Sequence, residues 1–242
     1  MPRISEKGAT LQASAIRKLV PFADAAKERG IKIYHLNIGQ PDIKTPTGAL
    51  DALRKADMGI VAYTPSNGNA SYRKKLCEYY NRFNIKLDPK DIIITCGGSE
   101  ALQIAFNVCL NEGEEVLVSE PYYANYNSFA KLSGAVIKTI PSSIDTGFAL
   151  PPMEEFEKAI TPKTRAIMVC NPNNPTGYLY TEEELRKLAE IVKKHDLFLF
   201  ADEVYREFVY DGQKHFSVMQ IEGIEENAID RKSTRLNSSH SV

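Results

Sequence analysis

Four short groups of residues between positions 97 and 205 have the side chains and backbone needed to bind a ligand. Each group closely follows an apolar run that is typical of a buried strand. In chain order the groups are Gly97-Gly98-Ser99, Tyr122-Tyr123, the heptapeptide NPNNPTG at residues 171–177, and Asp202 with Tyr205. Backbone N–H groups of a glycine turn that opens a helix can bind an anion, and a tyrosine ring can stack on a flat heterocycle. Taken alone, the glycine turn serves equally well as a capped turn, and core or rim packing is the commoner role of a tyrosine pair.

The heptapeptide and Asp202 are the more specific signals. Two prolines, three asparagines and a terminal glycine restrain the backbone of residues 171–177 more than a simple turn requires. An asparagine held in this way can donate an amide N–H to a ligand oxygen. Asp202 ends the apolar sequence LFLFAD, where a buried carboxylate is costly unless it meets a cation or several donors. We therefore predict that both belong to a binding site; the structural alternatives are a capped turn and a surface aspartate.

Hydrophobic periodicity predicts the elements that must position these groups. Strands are predicted at residues 92–95, 115–119, 135–140, 165–170 and 197–201. Helices are predicted at 99–108, 122–132, 152–160 and 181–195, and upstream at 13–29 with a kink at Pro21, at 48–58 and at 70–83. Helical crossovers let successive strands run parallel, so we predict an α/β fold with a mainly parallel sheet flanked by helices. Ligands bind beyond the carboxyl ends of such strands, which would bring the four groups to one edge of the sheet.

The composition excludes several classes of protein. The 242 residues contain 30 Lys and Arg against 31 Asp and Glu, so no basic excess favours nucleic-acid binding. No apolar run approaches the length of about 18 residues that a membrane helix needs, and the N-terminal sequence lacks the apolar core of a signal peptide. The four cysteines show no CxxC spacing and the four histidines are scattered. We therefore expect reduced thiols, no metal site, no nucleic-acid or membrane partner, and a cytoplasmic protein.

Taken together, the sequences GGSEAL, PYY, NPNNPTG and DEVY resemble, in this order, those of the class I and II aminotransferases, which are fold-type I pyridoxal-phosphate enzymes. The resemblance extends over residues 4–230 and includes LNIGQPD at 36–42 and AYTPSNG at 62–68. It implies the large cofactor-binding domain of that fold, with pyridoxal 5'-phosphate as the cofactor. It also implies a homodimer that transfers an amino group between an amino acid and a 2-oxo acid.

The resemblance further implies a role for each matching residue. Eight positions would bind the cofactor: Tyr63, Gly98, Ser99, Glu100, Tyr123, Asn174, Asp202 and Tyr205. The phosphate would be bound by backbone N–H groups of residues 98–100, and Tyr63 would reach the phosphate of the partner subunit's cofactor. Gly39 would lie against the substrate.

The other implied roles concern the pyridine ring. Tyr123 would stack on the ring, and Asn174 and Tyr205 would donate to its phenolic oxygen. Asp202 would pair with the ring nitrogen. A carboxylate beside that nitrogen favours its protonated form, which the electron-withdrawing chemistry of the cofactor needs.

The family's catalytic lysine has no match in this chain. In the family it holds the cofactor covalently and moves a proton at the substrate's α-carbon. Beyond Asp202 the chain has only Lys214, in DGQKH, and Lys232, in DRKSTR, and neither lies in the serine-rich setting that the family shows. We assign neither, so no catalytic residue is identified, and a chain truncated before the lysine is expected to be inactive.

The predicted domain organisation has three parts. Residues 1–46 form an N-terminal segment, residues 47–230 form an incomplete cofactor-binding large domain, and the family's smaller C-terminal domain is expected to be absent. Residues 231–242, RKSTRLNSSHSV, contain three basic residues, four serines and no acid, unlike the rest of the chain. We predict that this polar tail is not native.

Two other functions share parts of this pattern. A pyridoxal-phosphate-dependent C–S lyase or synthase of the same fold, performing β- or γ-elimination, would share the cofactor-binding residues. The aminotransferase-like part of a transcription regulator would also share them, but such proteins carry a basic DNA-binding domain before this fold. We expect the aminotransferase.

Overall fold

A computed structural model describes residues 2–11, 17–37, 39, 43–57, 59–60 and 62–232. These residues fall into two compact units, which are described separately. The first contains residues 2–11 and 96–232, and the second contains the described residues between 17 and 95. The predicted domain boundaries after residues 46 and 230 stay predictions. Arg231, which the sequence prediction assigned to the polar tail, is the last residue of a strand.

The α-helices and strands of the described residues alternate from residue 98 to residue 202, and only helices precede this part. The helices are α1 (Glu6–Ala9), α2 (Val20–Glu28), α3 (Thr47–Lys55), α4 (Ala70–Asn81), α5 (Gly98–Cys109), α6 (Tyr126–Ser133), α7 (Met153–Ala159) and α8 (Glu182–Lys194). The strands are β1 (Glu115–Glu120), β2 (Val136–Pro141), β3 (Thr164–Cys170), β4 (Phe198–Asp202) and β5 (Ala228–Arg231). Four of the five predicted strands and all four predicted helices beyond residue 96 are confirmed, with ends shifted by a few residues.

The first unit is built on a five-stranded parallel sheet with the order β2-β1-β3-β4-β5. The predicted parallel α/β class is therefore confirmed. The register places Cys170 at the end of β3 beside Asp202 at the end of β4, and Asp202 beside Arg231 at the end of β5. Three neighbouring strands thus end side by side.

Helices cover both faces of this sheet, because side chains at alternate positions of a strand point to opposite faces. Val116, Met168 and Phe200 pack with residues of α5 and α6. Their neighbours Leu117, Ile167 and Leu199 pack on the other face with residues of α7 and α8. The sheet is the middle layer of three, which explains why its inner strands β1, β3 and β4 bury apolar side chains on both faces.

The second unit contains α2, α3 and α4, and its described residues form no strand. The side chain of Asn69 caps α4 by accepting from the N–H groups of Ser71 and Tyr72, at 2.9 and 3.3 Å. Gly68, with φ +91°, lies against Ile94, where a Cβ on the glycine would be only 2.4 Å from Ile94 Cγ1. This close approach requires glycine at position 68.

The predicted strand at residues 92–95 is wrong. Ile94 donates its N–H to the carbonyl of Asn67 at 3.2 Å, and Ile93 is exposed. The β-branched run therefore makes a local contact within the second unit and joins no sheet. The fifth strand is instead β5, whose sequence AIDR has no apolar run or alternation that would predict it.

The α-helix around Pro21 begins later in the described residues than the sequence predicts, directly after a 3-10 turn at Arg17–Leu19. Because α2 begins at Val20, the proline lies in the first turn, where its missing N–H has no helical partner to lose. Residues 13–16 of that predicted helix and Met58 of the next one lie outside the described residues.

The predicted capping box at the start of α8 is confirmed. Thr181 Oγ1 accepts from the N–H of Glu184 at 3.2 Å, and Glu184 Oε2 accepts from the N–H of Thr181 at 2.7 Å. Glu184 Oε1 accepts in addition from the N–H of Leu150 and from the hydroxyl of Tyr178, both at 3.1 Å. This one carboxylate therefore joins α8 to the segment before α7 and to the chain beyond residue 177.

Replacement of Glu184 by Ala is expected to lower the free energy of unfolding by about 2 kcal/mol, because the carboxylate's half of the capping box and two further hydrogen bonds are lost together. Glu183→Ala is the matched control: this neighbour makes only an exposed ion pair with Lys187, so about 0.5 kcal/mol or less is expected. Urea unfolding followed by circular dichroism measures both. Equal losses for the two variants would contradict the role given to Glu184.

Candidate functional site

The carboxylate of Asp202 lies at the centre of the site, at the carboxyl end of β4. Only 3% of the surface of Asp202 is exposed. Oδ2 accepts from the hydroxyl of Tyr126 at 2.8 Å, and Oδ1 accepts from Nη1 of Arg231 at 2.5 Å. Oδ1 also accepts from the N–H of Val204 at 3.4 Å. Asp202 is thus a buried acid with two neutral donors and one cationic donor, as expected for a carboxylate in such a strand.

Tyr126 and Cys170 complete the buried surroundings of Asp202. Tyr126 is fully buried at the start of α6, and burial together with the Asp202 carboxylate raises the pKa of its hydroxyl well above the usual value. Burial, and then the same carboxylate, also raises the pKa of the Cys170 thiol. Both groups stay protonated at neutral pH and are therefore neutral neighbours of the Asp202 carboxyl group. Tyr126 was not predicted from the sequence; its position three residues after Tyr123 in a tyrosine-rich run is the signal that could have indicated it.

Arg231 connects Asp202 to the glycine turn before α5. A Cβ placed on Gly98 would lie 1.7–2.0 Å from the Arg231 guanidinium, so the absent side chain of Gly98 leaves the space that this cation occupies. Nε of Arg231 is buried without a hydrogen-bond partner. Asp202 and Gly98 therefore lie on two sides of the Arg231 guanidinium. The sequence predicts that these two residues bind opposite ends of one ligand.

The N-terminus of α5 presents backbone donors beside this space. Its N-cap, Gly97, provides no side-chain cap. Within the described part of the chain, the N–H groups of Gly98 and Ser99 donate to no other group, which suits an anion. The N–H of Glu100 already donates to the carbonyl of Gly97 at 3.1 Å, and its carboxylate accepts from the N–H of Cys96. Gly98 and Ser99 are thus better placed than Glu100 to bind a phosphate.

The two loops after β3 and β4 bring Asn174 and Tyr205 together. Nδ2 of Asn174 lies 3.4 Å from the hydroxyl of Tyr205, and both side chains are partly exposed. Asn173 braces the first loop, because its Nδ2 donates to Thr176 Oγ1 and to the carbonyl of Pro121. Two groups with donor hydrogens therefore meet at this position.

Tyr123 lies on the same side of the sheet as Tyr126. The two rings meet edge to face, with centroids 5.4 Å apart, and the Tyr123 hydroxyl accepts from Nδ2 of Asn125 at 2.7 Å. Tyr123 therefore contacts the ring of Tyr126, whose hydroxyl donates to Asp202. Gly39 and Tyr63 belong to the second unit, where both are exposed, and their predicted roles stay predictions.

Comparisons with known proteins agree with this arrangement. Residues 31–231 match the family model for aminotransferase class I and II. A putative aminotransferase of Bacillus subtilis, YugH, is 36% identical over 222 residues, which make up 90% of this chain and 56% of that protein. An aspartate aminotransferase of Bacillus sp. strain YM-2 is 35% identical over 214 residues, 88% of this chain and 54% of that protein.

The fold comparison agrees as well. The structure of Thermus thermophilus aspartate aminotransferase with maleate aligns with a TM-score of 0.89 and 32% identity, over 97% of this chain and 61% of that one. The chain belongs to the class I and II aminotransferases. It spans 54–61% of the length of these three relatives. The aminotransferase family depends on pyridoxal 5'-phosphate.

The described residues contain neither a membrane-spanning helix nor a cluster of metal ligands. No helix there is long and apolar enough to cross a membrane. No group of three or more His, Cys, Asp or Glu side chains in that part of the chain is arranged to hold a metal ion.

Replacement of Tyr126 by Phe is expected to lower the free energy of unfolding by about 2 kcal/mol, because the buried Asp202 carboxylate loses a donor that the ring cannot replace. Tyr122→Phe is the control, since its hydroxyl bonds the exposed Asn127 and its loss should cost about 0.5 kcal/mol or less. Thermal and urea unfolding of both variants provide the measurement. A Tyr126→Phe variant as stable as the control would show that Asp202 does not depend on this hydroxyl.

Proposed function

We propose that the full-length protein is an aminotransferase, which transfers an amino group between an amino acid and a 2-oxo acid, and that the Asp202 edge of the sheet binds pyridoxal 5'-phosphate. One observation carries this proposal: a buried carboxylate at the end of β4 accepts from a cationic N–H group beside a side-chain-free glycine. A protonated pyridine nitrogen presents the same kind of donor to a carboxylate.

The residues of the site fit this cofactor by their chemistry. The N–H groups of Gly98 and Ser99 at the start of α5 suit the phosphate, and the helix dipole there favours an anion. The Asn174–Tyr205 pair offers donors for a phenolic oxygen. The aromatic ring of Tyr123 offers a stacking surface one ring away from Asp202.

When bound, the cofactor supplies a conjugated ring that withdraws electrons from the substrate's α-carbon. Asp202 keeps the ring nitrogen protonated, because an adjacent anion stabilises the charged form. Tyr126 keeps Asp202 in place by donating to its second oxygen. Asn174 and Tyr205 stabilise negative charge on the phenolic oxygen.

The remaining roles in the proposal come from the family. Gly39 would lie against the substrate, and Tyr63, exposed in this chain, would reach the cofactor of the partner subunit in a cytoplasmic homodimer. We assign the proton transfer at the α-carbon to no lysine of this chain: Lys214 is exposed and Lys232 pairs with Glu207 at 2.9 Å. The relatives' names include aspartate, aspartate/prephenate and aromatic amino acids, and they support transfer rather than elimination.

Binding of pyridoxamine 5'-phosphate to the 242-residue chain tests the cofactor site. This probe keeps the ring, the phenolic oxygen and the phosphate, and its amine cannot react with surface lysines. Asp202→Asn is expected to weaken binding by at least about tenfold, because a charge-assisted hydrogen bond is lost. Arg231→Leu is expected to strengthen binding, because the internal cation no longer competes for Asp202 and for the space beside Gly98. Isothermal titration calorimetry measures both affinities.

Arg165→Leu is the control for the arginine variant, because Arg165 lies at the start of β3 and pairs with Glu114. Its affinity for the probe should equal that of the unmodified chain. If neither Asp202→Asn nor Arg231→Leu changes the affinity while both remain folded by circular dichroism, the probe does not bind at this edge and the proposed site is wrong.

A further inference from the structure

Two loops hold the Asn174–Tyr205 pair in place. We call residues 171–177, after β3, loop A, and residues 203–217, after β4, loop B. Asn174 lies on loop A and Tyr205 on loop B, and their polar atoms are 3.4 Å apart, near the outer limit of a hydrogen bond. A displacement of either loop by less than 1 Å would therefore decide whether the two side chains act on the same ligand atom.

Asn171, the first residue of loop A, is fully buried and bonds both loops. Its side-chain Oδ1 accepts from the N–H of Tyr180 at 3.1 Å, beyond the other end of loop A. Its Nδ2 donates to the carbonyl of Phe216 on loop B at 3.0 Å. One amide side chain thus closes loop A and fastens it to loop B.

His215 of loop B reinforces this connection. Its Nε2 lies 3.2 Å from the carbonyl oxygen of Asn171 and 3.2 Å from Asn171 Nδ2. Burial, and then the nearby Arg206 guanidinium, lowers the pKa of His215 to about 4. The imidazole is therefore neutral at pH 7 and contacts Asn171 through a single ring nitrogen.

Glu203 closes loop B on itself. Glu203 is fully buried at the start of the loop. Its Oε1 accepts from the hydroxyl of Ser217 and from the N–H of Val218, both at 3.0 Å. Oε2 accepts from Nη2 of Arg206 at 2.5 Å and lies 3.8 Å from Nε2 of His215. The same Nη2 also donates to Asp230 at 2.9 Å, so Arg206 pairs with two buried carboxylates. Tyr205 therefore lies in the chain between Glu203 and Arg206, two members of a buried charge cluster.

Stability alone gives a weak reason for so many buried polar groups. Apolar side chains of similar volume often stabilise a core as well as a buried ion pair does, without the cost of removing charges from water. Hydrogen bonds fix directions and separations that apolar contacts leave adjustable. These bonds converge on the two loops that carry Asn174 and Tyr205.

We propose that His215 and Glu203 are positioning residues, which hold loop B against loop A and so place the Tyr205 hydroxyl beside Asn174. They act through Asn171 and Ser217 and need no contact with the cofactor. The consequence for binding rests on the function proposed above, whereas the placement of Tyr205 does not.

The placement is tested without ligand by ¹⁹F NMR of the 242-residue chain labelled with 3-fluorotyrosine. The chain has 12 tyrosines, and the Tyr205 resonance is the one that Tyr205→Phe removes. Asn174→Ala gives the chemical shift that Tyr205 adopts when the Asn174 contact is lost. His215→Phe is expected to move the Tyr205 resonance in the same direction. His215→Gln is expected to keep it near its original position, because the amide offers Asn171 both a donor and an acceptor and so can replace either role of Nε2.

His195→Phe is the matched control, because His195 contacts a carboxylate, Glu157, at 2.7 Å beyond the end of α8 and bonds neither loop. It should leave the Tyr205 resonance unchanged. Ser217→Ala is a smaller change that removes a donor to Glu203, and it should move the Tyr205 resonance. If His215→Phe does not fold, the result for Ser217→Ala tests the proposal in its place. The proposal is overturned if Asn174→Ala leaves the Tyr205 resonance at its original position. It is also overturned if His215→Phe and Ser217→Ala are folded and both leave that resonance at its original position.

Binding of pyridoxamine 5'-phosphate tests the consequence by a double-mutant cycle. His215→Phe is expected to weaken binding about threefold to tenfold, the effect of one hydrogen bond. In a Tyr205→Phe background it should cause no further loss, because the hydroxyl that His215 positions is already absent. Equal losses in both backgrounds would overturn positioning through Tyr205. Equal binding by the unmodified chain and Asp202→Asn would refute the cofactor site and leave the ¹⁹F result intact.

Discussion

The buried carboxylate of Asp202 is the constraint on which the rest of the site depends. A carboxylate removed from water costs several kcal/mol unless donors and a positive charge replace the solvent. Tyr126 from α6 supplies a neutral donor, and Arg231 from β5 supplies the charge. Helix α6 and strand β5 must therefore both pack beside the end of β4 before this acid can be buried without a large penalty.

The topology of the sheet meets this requirement. Strand β4 lies between β3 and β5, so the ends of its neighbours bring Cys170 and Arg231 to Asp202. The side-chain alternation of β4 places Phe200, and two residues later Asp202, on the face that α5 and α6 cover, which is where Tyr126 lies. The same packing that buries apolar side chains on both faces therefore also positions the acid and its donors.

Features encoded by neighbouring residues could be predicted from the sequence, whereas features that depend on strand order could not. The capping box of α8, strands β1 to β4 and an acid at the end of a buried strand, Asp202, follow from local patterns. Residues 92–95 show the limit, because β-branched residues favour an extended chain without specifying a strand partner. Arg231 and Tyr126 lie 29 and 76 residues from Asp202, so only the fold reveals that they contact it. Glu203 and His215 are likewise brought together by the return of loop B.

The Arg231 guanidinium and a cofactor ring cannot bind the Asp202 carboxylate and fill the space beside Gly98 at the same time. Arg231 contacts Asp202 and fills the side-chain-free face of Gly98, so a ligand with a protonated ring nitrogen must displace it. The free energy that the internal pair contributes is then subtracted from the affinity for the ligand. The burial of Asp202 sets this requirement, because a cation must reach the carboxylate from β5 or from a ligand.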